Sequence, residues 1–575
     1  MISIANHRSL LTMLNHKLKF IRRLFGGIKN QKLKMVFTLH RYIFREVIKV
    51  FVLATVALTL MMSLGSILRP VQEYGVGPSQ VIDLMIYFLP ITLTFVLPMA
   101  ALFATTLVYG RLANDNELDA CRASGISLLT LVYPGLMLAI IVATANLLLS
   151  FYVMPAFVQR AENSLKNDAR QILFRNIERR GYYSLPPDNR YRIYADNADI
   201  KNNALSGVIA AETTDGKIRK IITAETAKVI FNPHETINEV SITAHNTYQT
   251  GSDEDGFSAE WLSISTEFGA LLGDNIKFKK IDEMKQIRRN PLLFDPVARL
   301  ARRVYARFTA ELLAQQINDA VSSHTNPPFK LFSDRQVVEL SAKSCTVLDE
   351  KRLLLAEDVV ITERPVSGDA PTRTLRCQKA FLDIEGDETA PTLTLDIRNA
   401  KWASAGSVEP QTSYGQENIF ARQIIRGLVL PPAVTNTFKT TDILKEIKPE
   451  AVSAALHAGP SDDLTKLQKR LKSKITLTRA EIGAETNSRL VFGVGCVTLI
   501  MIGIGLGIIL KGGHLLTAFG ASAAPALALI SCIMMGKNIA ENPTSTALSG
   551  ISQMWAGLII LSILGLELYR RLLKR

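Results

Sequence analysis

The chain has 575 residues, with 66 Lys and Arg against 52 Asp and Glu, a formal net charge of +14. Such an excess suits nucleic acid or an anionic membrane surface, and its placement favours the second. Eleven basic residues precede residue 50 against the single acidic Glu46, the terminal RRLLKR adds four more, and both clusters flank long apolar runs.

Residues 1–45 read as a basic cytoplasmic N-terminus. The stretch HRSLLTMLNHKLKFIRRLFGGIKNQKLK suits an amphipathic helix lying on the inner leaflet, while Met35 offers an alternative translation start. Both readings stay open at this point. Spanning a hydrocarbon layer of roughly 30 Å takes about 20 mostly apolar residues. Residues 46–68, 82–109 and 128–152 meet that requirement, and Pro90 and Pro98 are expected to bend the second run. The first run is too long and begins too late for a cleaved signal peptide.

Between the second and third runs lies GRLANDNELDACRASGIS, residues 110–127. It carries Asp115, Glu117, Asp119 and Arg122, and Gly125 is expected to end a short helix there. Ordered charge in so short a connector suits docking to a partner.

Residues 156–478 have the composition of a soluble region. Short alternating runs such as YRIYADNADI, KIRKIITAETAKVIF, EVSITAHNTY, LRCQKAFLDIEG and PTLTLDIRNAKWASAG, set between Asp, Asn and Gly turns, read as antiparallel strands of a β-jellyroll-like domain. Near 281–325 the pattern changes to helical spacing, with Val297, Leu300, Val304 and Phe308 on one face and basic residues on the other. Residues 446–489 read as a polar helical stem with a turn around GPSDD. The chain then returns to apolar runs at 490–510, 516–536 and 551–568. The middle one is rich in Ala and Gly and so is suited to packing inside a bundle.

The expected fold class is therefore a membrane α-helical protein of six transmembrane helices, three plus three, with an inserted periplasmic β-jellyroll-like domain containing extra helical segments. Its parts are residues 1–45, 46–155 with the connector at 111–125, 156–478, and 479–575 with a short cytoplasmic tail. Six crossings put both ends on one side, and both ends are basic. The positive-inside bias places them in the cytoplasm and the polar middle across the membrane. Cys345 and Cys377 would then be free to pair, but five cysteines make no disulfide framework.

Catalytic signatures are missing. There is no phosphate-binding G-x-x-x-x-G-K-[S/T], no H-E-x-x-H, no G-x-S-x-G, and the eight histidines are scattered. The spans hold almost no charge at their centres, where an ion relay would need it. No cofactor is implied. Arg69, directly after the first span and beside Pro70, suits either interfacial anchoring or contact with an anionic lipid head group.

Three stretches carry a resemblance to a known family. HRYIFREVIKVF at 40–51 enters the first span. RLANDNELDACRASGIS supplies Glu117, Arg122, Ala123, Ser124, Gly125 and Ile126. EIGAETNSRLVF holds Glu485 and Arg489, and is followed by GIGLGI at 503–508 with Gly503, Gly505 and Gly507. These resemble the lipopolysaccharide-export permease family LptF/LptG, also called YjgP/YjgQ.

The resemblance implies a permease subunit, itself non-catalytic, of an ABC-type exporter in the inner membrane. It would extract lipopolysaccharide for transport to the outer membrane. The implied partners are an LptB-like cytoplasmic ATPase dimer, an LptF or LptG counterpart, an LptC-like periplasmic bridge protein and lipopolysaccharide, with no nucleic acid. Asp115, Glu117, Arg122, Ser124 and Gly125 would form the ATPase-coupling element. Arg69 would meet the lipid head group, and Glu485, Arg489, Gly503, Gly505 and Gly507 would serve conformation or packing.

Three departures stand out, one being that ENPTSTALSGISQMW resembles the family's approach to the last span only loosely. The polar region is about twice the length expected of the family, and Gly505 replaces a proline expected in GIPLG. The rival reading from the residues is a membrane-anchored envelope sensor or scaffold with an extracytoplasmic binding domain.

Overall fold

The computed structural model describes residues 37–65, 78–167, 169–184, 191–214, 217–233, 238–251, 257–268, 275–322, 329–333, 336–365, 373–385, 392–402, 419–431, 434, 456, 459–510, 515–542 and 546–574. The basic N-terminal segment, Met35 and Arg69 lie outside the described residues. The chain divides into two compact units, one of residues 1–285 with 480–575 and the other of residues 286–479.

The first unit holds the apolar helices. These are α1 (Phe37–Gly65), α2 (Pro78–Asn114), the short α3 (Glu117–Ala123), and α4 (Leu128–Leu148), which passes through a π-helical turn at Leu149–Val153 into α5 (Met154–Asn167), followed by α6 (Ala169–Arg180). After the polar region come α9 (Asp462–Ile509), α10 (Leu515–Glu541) and α11 (Ala547–Lys574). Among the described residues six helices are long and apolar enough to cross a membrane, and they match the six apolar runs of the sequence.

The helices begin or end well outside the apolar runs. α1 is helical from Phe37, the first described residue, through the basic Arg41 and Arg45, and α2 runs unbroken through Pro90 and Pro98. In α2 and α9, 61% of the most apolar stretch is buried within the chain, against 22% in α1 and 28% in α10 and α11. α2 and α9 therefore form the centre of the helical group.

Small residues allow that closeness. A Cβ on Gly507 would stand 2.6 Å from the Thr106 carbonyl and 3.0 Å from the Gly110 nitrogen. One on Gly503 would meet the Leu102 carbonyl at 2.9 Å. Backbones of α2 and α9 thus touch along one face, as small-residue helix contacts permit. Gly505 faces elsewhere, against Leu568 of α11.

The same unit carries a six-stranded antiparallel sheet of β1 (Tyr182–Ser184), β2 (Tyr191–Asp199), β3 (Ala204–Thr214), β4 (Lys217–Pro233), β5 (Asn238–Gly251) and β6 (Phe257–Phe268), each paired with its chain neighbour. One face packs on Ile172, Leu173, Phe174 and Ile177 of α6 through Ile193, Val208 and Val229. The alternation slips where two consecutive residues face away from the core: Asp196–Asn197, Ser206–Gly207, Glu225–Thr226 and His245–Asn246. These sites pair across the strands, so all four strands shift face along one line, with Gly207 and Asn246 at positive φ. On the face away from the core, Tyr182, Tyr194, Ile209, Thr223 and Tyr248 oppose one another in a continuous row. All but Thr223 are exposed.

After α7 (Ile281–Arg289), the second unit holds α8 (Asp295–Ser322) and a second sheet of β7 (Phe329–Phe332), β8 (Gln336–Ser341), β9 (Ser344–Val347), β10 (Arg352–Pro365), β11 (Arg373–Glu385), β12 (Thr392–Trp402) and β13 (Ile419–Val429). β7, β8, β10, β11, β12 and β13 form a ring, closed by the single pair Val429–Phe332. Leu353, Leu355, Ile361, Leu375, Leu382, Leu393 and Leu395 are wholly buried, as the filled interior of a small closed barrel requires. Among the described residues the first sheet pairs only chain neighbours, as a meander, whereas in the second β8 pairs with β10 past β9 and β13 pairs with β7.

Asn318 of α8 covers the edge of β9. It donates to the Cys345 carbonyl at 2.9 Å and accepts from the Cys345 amide at 2.8 Å, removing an open strand edge. The basic residues of α8 are paired within the unit: Arg299 with Asp295 at 2.5 Å, Arg303 with Glu350 at 2.5 Å, and Arg307 with Glu311 at 2.9 Å.

Cys345 and Cys377 are free thiols on β9 and β11. Burial pushes them up to about 12 and about 11 respectively. Because the thiolate is the reactive form, a maleimide near neutral pH is expected to modify neither until denaturant is added. Mass spectrometry of the labelled chain checks this, and rapid native labelling of Cys345 would contradict the buried placement.

Candidate functional site

The connector between α2 and α4 is built by local rules. Asn116, in the left-handed region at φ 55, turns the chain out of α2, and α3 begins at Glu117. Leu118 is buried, and with Cys121 and Ile126 it joins a cluster containing Leu112 and Leu131. At the C-terminus, the Gly125 amide donates to the Arg122 carbonyl at 2.9 Å and the Ile126 amide to the Cys121 carbonyl at 3.1 Å. Gly125 has φ 78. This is the Schellman stop, with its glycine and its following apolar residue, and it explains the order Ser-Gly-Ile in mechanical terms. Ser127 then accepts from the Thr130 amide and caps α4.

The segment is held against its neighbours. Arg111 pairs with Glu46 of α1 at 3.0 Å, the His40 ring nitrogen lies 2.8 Å from the Thr130 carbonyl, and the Tyr109 hydroxyl donates to the Leu131 carbonyl at 2.9 Å. With its apolar side buried, α3 presents the rest outward. Asp115, Arg122, Ser124 and Gly125 are exposed, and Glu117 is half-buried. The structure thus brings all five together on one ordered surface element.

Glu485 and Arg489 stand one helical turn apart on α9 and are both buried. Arg489 Nε donates to Glu485 at 2.9 Å, and its terminal nitrogens reach the carbonyls of Lys277 at 2.8 Å and Lys279 at 3.3 Å. Lys537 of α10 completes the cluster with an ion pair to the second Glu485 oxygen. The Arg489 guanidinium lies 5.5 Å from the centre of the Phe151 ring, within reach of a cation–π contact. Phe151 belongs to the π-helical turn, a distortion common at functional sites.

A cavity of about 380 Å³ opens beside this cluster. Its walls include Asn146 and Ser150 around the π-turn, Lys277 from the segment after β6, Glu485 and Arg489 from α9, and Lys537 from α10. Sequence reading found Glu485 and Arg489 but missed Lys277, Lys537 and Asn146. Lys537 follows the glycine that ends an apolar run, and Asn146 interrupts the third run. Polar residues inside such runs are the signal that was available.

Among the described residues, six helices long and apolar enough to cross a membrane stand with an ordered charged connector and a β-sheet built onto the helical group, the composition of a polytopic membrane protein with a polar β-rich region. Residues 41–275 match the model of the lipopolysaccharide export system permease LptF/LptG family. That stretch holds the first three spans, α3 and the first sheet, and the match supports membership of the LptF/LptG permease family. It ends at Asn275, shortly before the second unit begins at Gln286. No curated protein matches the chain. The family and the six helices support a multi-pass protein of the inner membrane.

Proposed function

We propose that this chain is the permease subunit of an ABC-type exporter that extracts lipopolysaccharide from the inner membrane for delivery to the outer membrane. The observation that carries the reading is the family match over residues 41–275. In this reading both termini are cytoplasmic, as the basic ends suggest, and the β-rich units are periplasmic. An LptB-like ATPase dimer binds from the cytoplasm, an LptF or LptG counterpart completes the membrane part, and an LptC-like protein receives the lipid. The chain does no covalent chemistry, and hydrolysis belongs to the ATPase.

The rigidity of α3 supports its role as the coupling helix. A force-transmitting contact needs an element fixed to its spans, and the buried Leu118 with the ion pair of Arg111 and Glu46 fixes it. Glu117 and Arg122 are the contacts to the ATPase, with Asp115, Ser124 and Gly125 shaping the element. Arg69 is the candidate for the lipid phosphate. The exposed row from Tyr182 to Tyr248 offers an apolar path for acyl chains, whose burial is worth about 0.8 kcal/mol per CH₂.

Replacing Glu117 and Arg122 together by Ala tests the coupling role. The ATPase is expected to be lost from the purified complex while the chain's own unfolding temperature stays within a degree or so, because surface changes of this kind cost about 0.5 kcal/mol or less. Undiminished ATPase co-purification would remove α3 as the docking element.

A further inference from the structure

Pro134 stands inside α4, close to the end that carries α3. A proline within a helix has no N–H for the carbonyl four residues before it, and its ring presses against that carbonyl. Here the carbonyl is that of Thr130. The stretch that joins α3 to the rest of its span is therefore short of one backbone bond, at a place where helices bend.

Two neighbouring helices supply what the proline removes. His40 of α1 places Nε2 2.8 Å from the Thr130 carbonyl, and because a carbonyl only accepts, that nitrogen carries the hydrogen. The imidazole is held by stacking on Tyr133, the residue before the proline, with ring centres 5.5 Å apart. One residue further on, the wholly buried Tyr109 of α2 donates to the Leu131 carbonyl at 2.9 Å. Gly135 leaves room for that hydroxyl, since a Cβ there would stand 3.1 Å from the Tyr109 oxygen and 2.4 Å from Ile504 of α9. Freed carbonyls of membrane helices are satisfied by neighbours in this way. Side chains of α1 and α2 thus grip the backbone of α4 at its weak point.

We propose that His40 and Tyr109 are positioning residues for transport, clamping α4 at its proline so that a displacement of α3 moves the whole span. Without the clamp, bending at Pro134 absorbs the displacement. The inference rests on the transport reading and on α3 as its coupling element.

The test uses the full chain in nanodiscs, with the ATPase and counterpart that co-purify with it. It follows ATPase retention, ATP hydrolysis and lipopolysaccharide moved per ATP hydrolysed. His40→Phe keeps a ring against Tyr133 and removes the donor. It is expected to retain a working ATPase and to lower the lipid moved per ATP by about fivefold or more, the low end of coupling between distant sites. His40→Gln, whose amide offers a donor in place of Nε2–H, should keep most of the yield. Adding Pro134→Ala to His40→Phe restores an N–H for the Thr130 carbonyl within α4 itself, so the yield should return although the imidazole is gone.

A full yield in His40→Phe overturns the proposal, and so does a failure of Pro134→Ala to restore it. Loss of the ATPase from His40→Phe overturns it as well, since the residue would then serve docking. If His40→Phe fails to fold, Tyr109→Phe with and without Pro134→Ala decides in the same way. A wild-type complex that moves no lipid with ATP refutes the transport reading instead. Amide hydrogen exchange of the chain then judges the clamp alone: faster exchange around Pro134 in His40→Phe, reversed by Pro134→Ala, upholds it, and unchanged exchange removes it.

Discussion

Replacing Arg489 by Ala is expected to lower the stability of the chain by about 3–5 kcal/mol, the usual cost of removing one partner from a buried charge pair. Three groups lose a partner at once. Glu485 keeps only Lys537, and the carbonyls of Lys277 and Lys279 lose their donors. Each abandoned polar group carries a penalty of about 1–3 kcal/mol when it stays dry. Water entering from the adjoining cavity recovers part of that, which keeps the total within the stated range.

Arg489→Lys should fall between wild type and Ala, since an ammonium keeps the charge but cannot span the carboxylate and two carbonyls with a planar fork. Thermal unfolding in nanodiscs, calibrated by a denaturant series, measures the effect. A change below about 0.5 kcal/mol for Arg489→Ala, the size of an ordinary surface effect, would mean that the cluster is not buried as described.

Gly507→Leu is the second large effect. The helices α2 and α9 touch through backbone atoms at this position, so a side chain has nowhere to go without separating them. Overpacking typically costs about 1–3 kcal/mol, occasionally more, and separation of the two most buried spans puts this case at the upper end. Two comparisons make the result specific. At Gly110 an added Cβ meets the Gly507 carbonyl at 3.5 Å, an ordinary contact, so Gly110→Ala should be tolerated. At Gly520 nothing lies within 4 Å, and Ala should be neutral or slightly stabilising. Equal effects of Leu at 507 and Ala at 520 would contradict the close packing of α2 and α9.

The six spans and the α3 stop were readable because they follow one-dimensional rules. An apolar run is visible as a run, and Ser124-Gly125-Ile126 is a local motif whose hydrogen bonds stay within a few residues. Span boundaries were less readable. α9 is 48 residues long because no proline interrupts it and the lone Gly483 at the end of its polar stem does not break it, so the helix passes through Glu485 and Arg489 before the apolar run begins.

The cavity could not be read at all. Lys277, Arg489 and Lys537 come from three distant segments, and only packing of α9 and α10 on the segment after β6 brings them together. Alternation identified strands without showing which of them share a sheet. The helical stretch near 281–325 marked a change of pattern, and in the structure α8 belongs with the second sheet.

Photo-crosslinking in living cells addresses the transport account most directly. A photoreactive amino acid placed at Ile209 or Tyr248, on the exposed apolar row of the first sheet, should yield lipopolysaccharide adducts that disappear when ATP is depleted. Adducts with proteins alone, or lipid adducts indifferent to ATP, would contradict it.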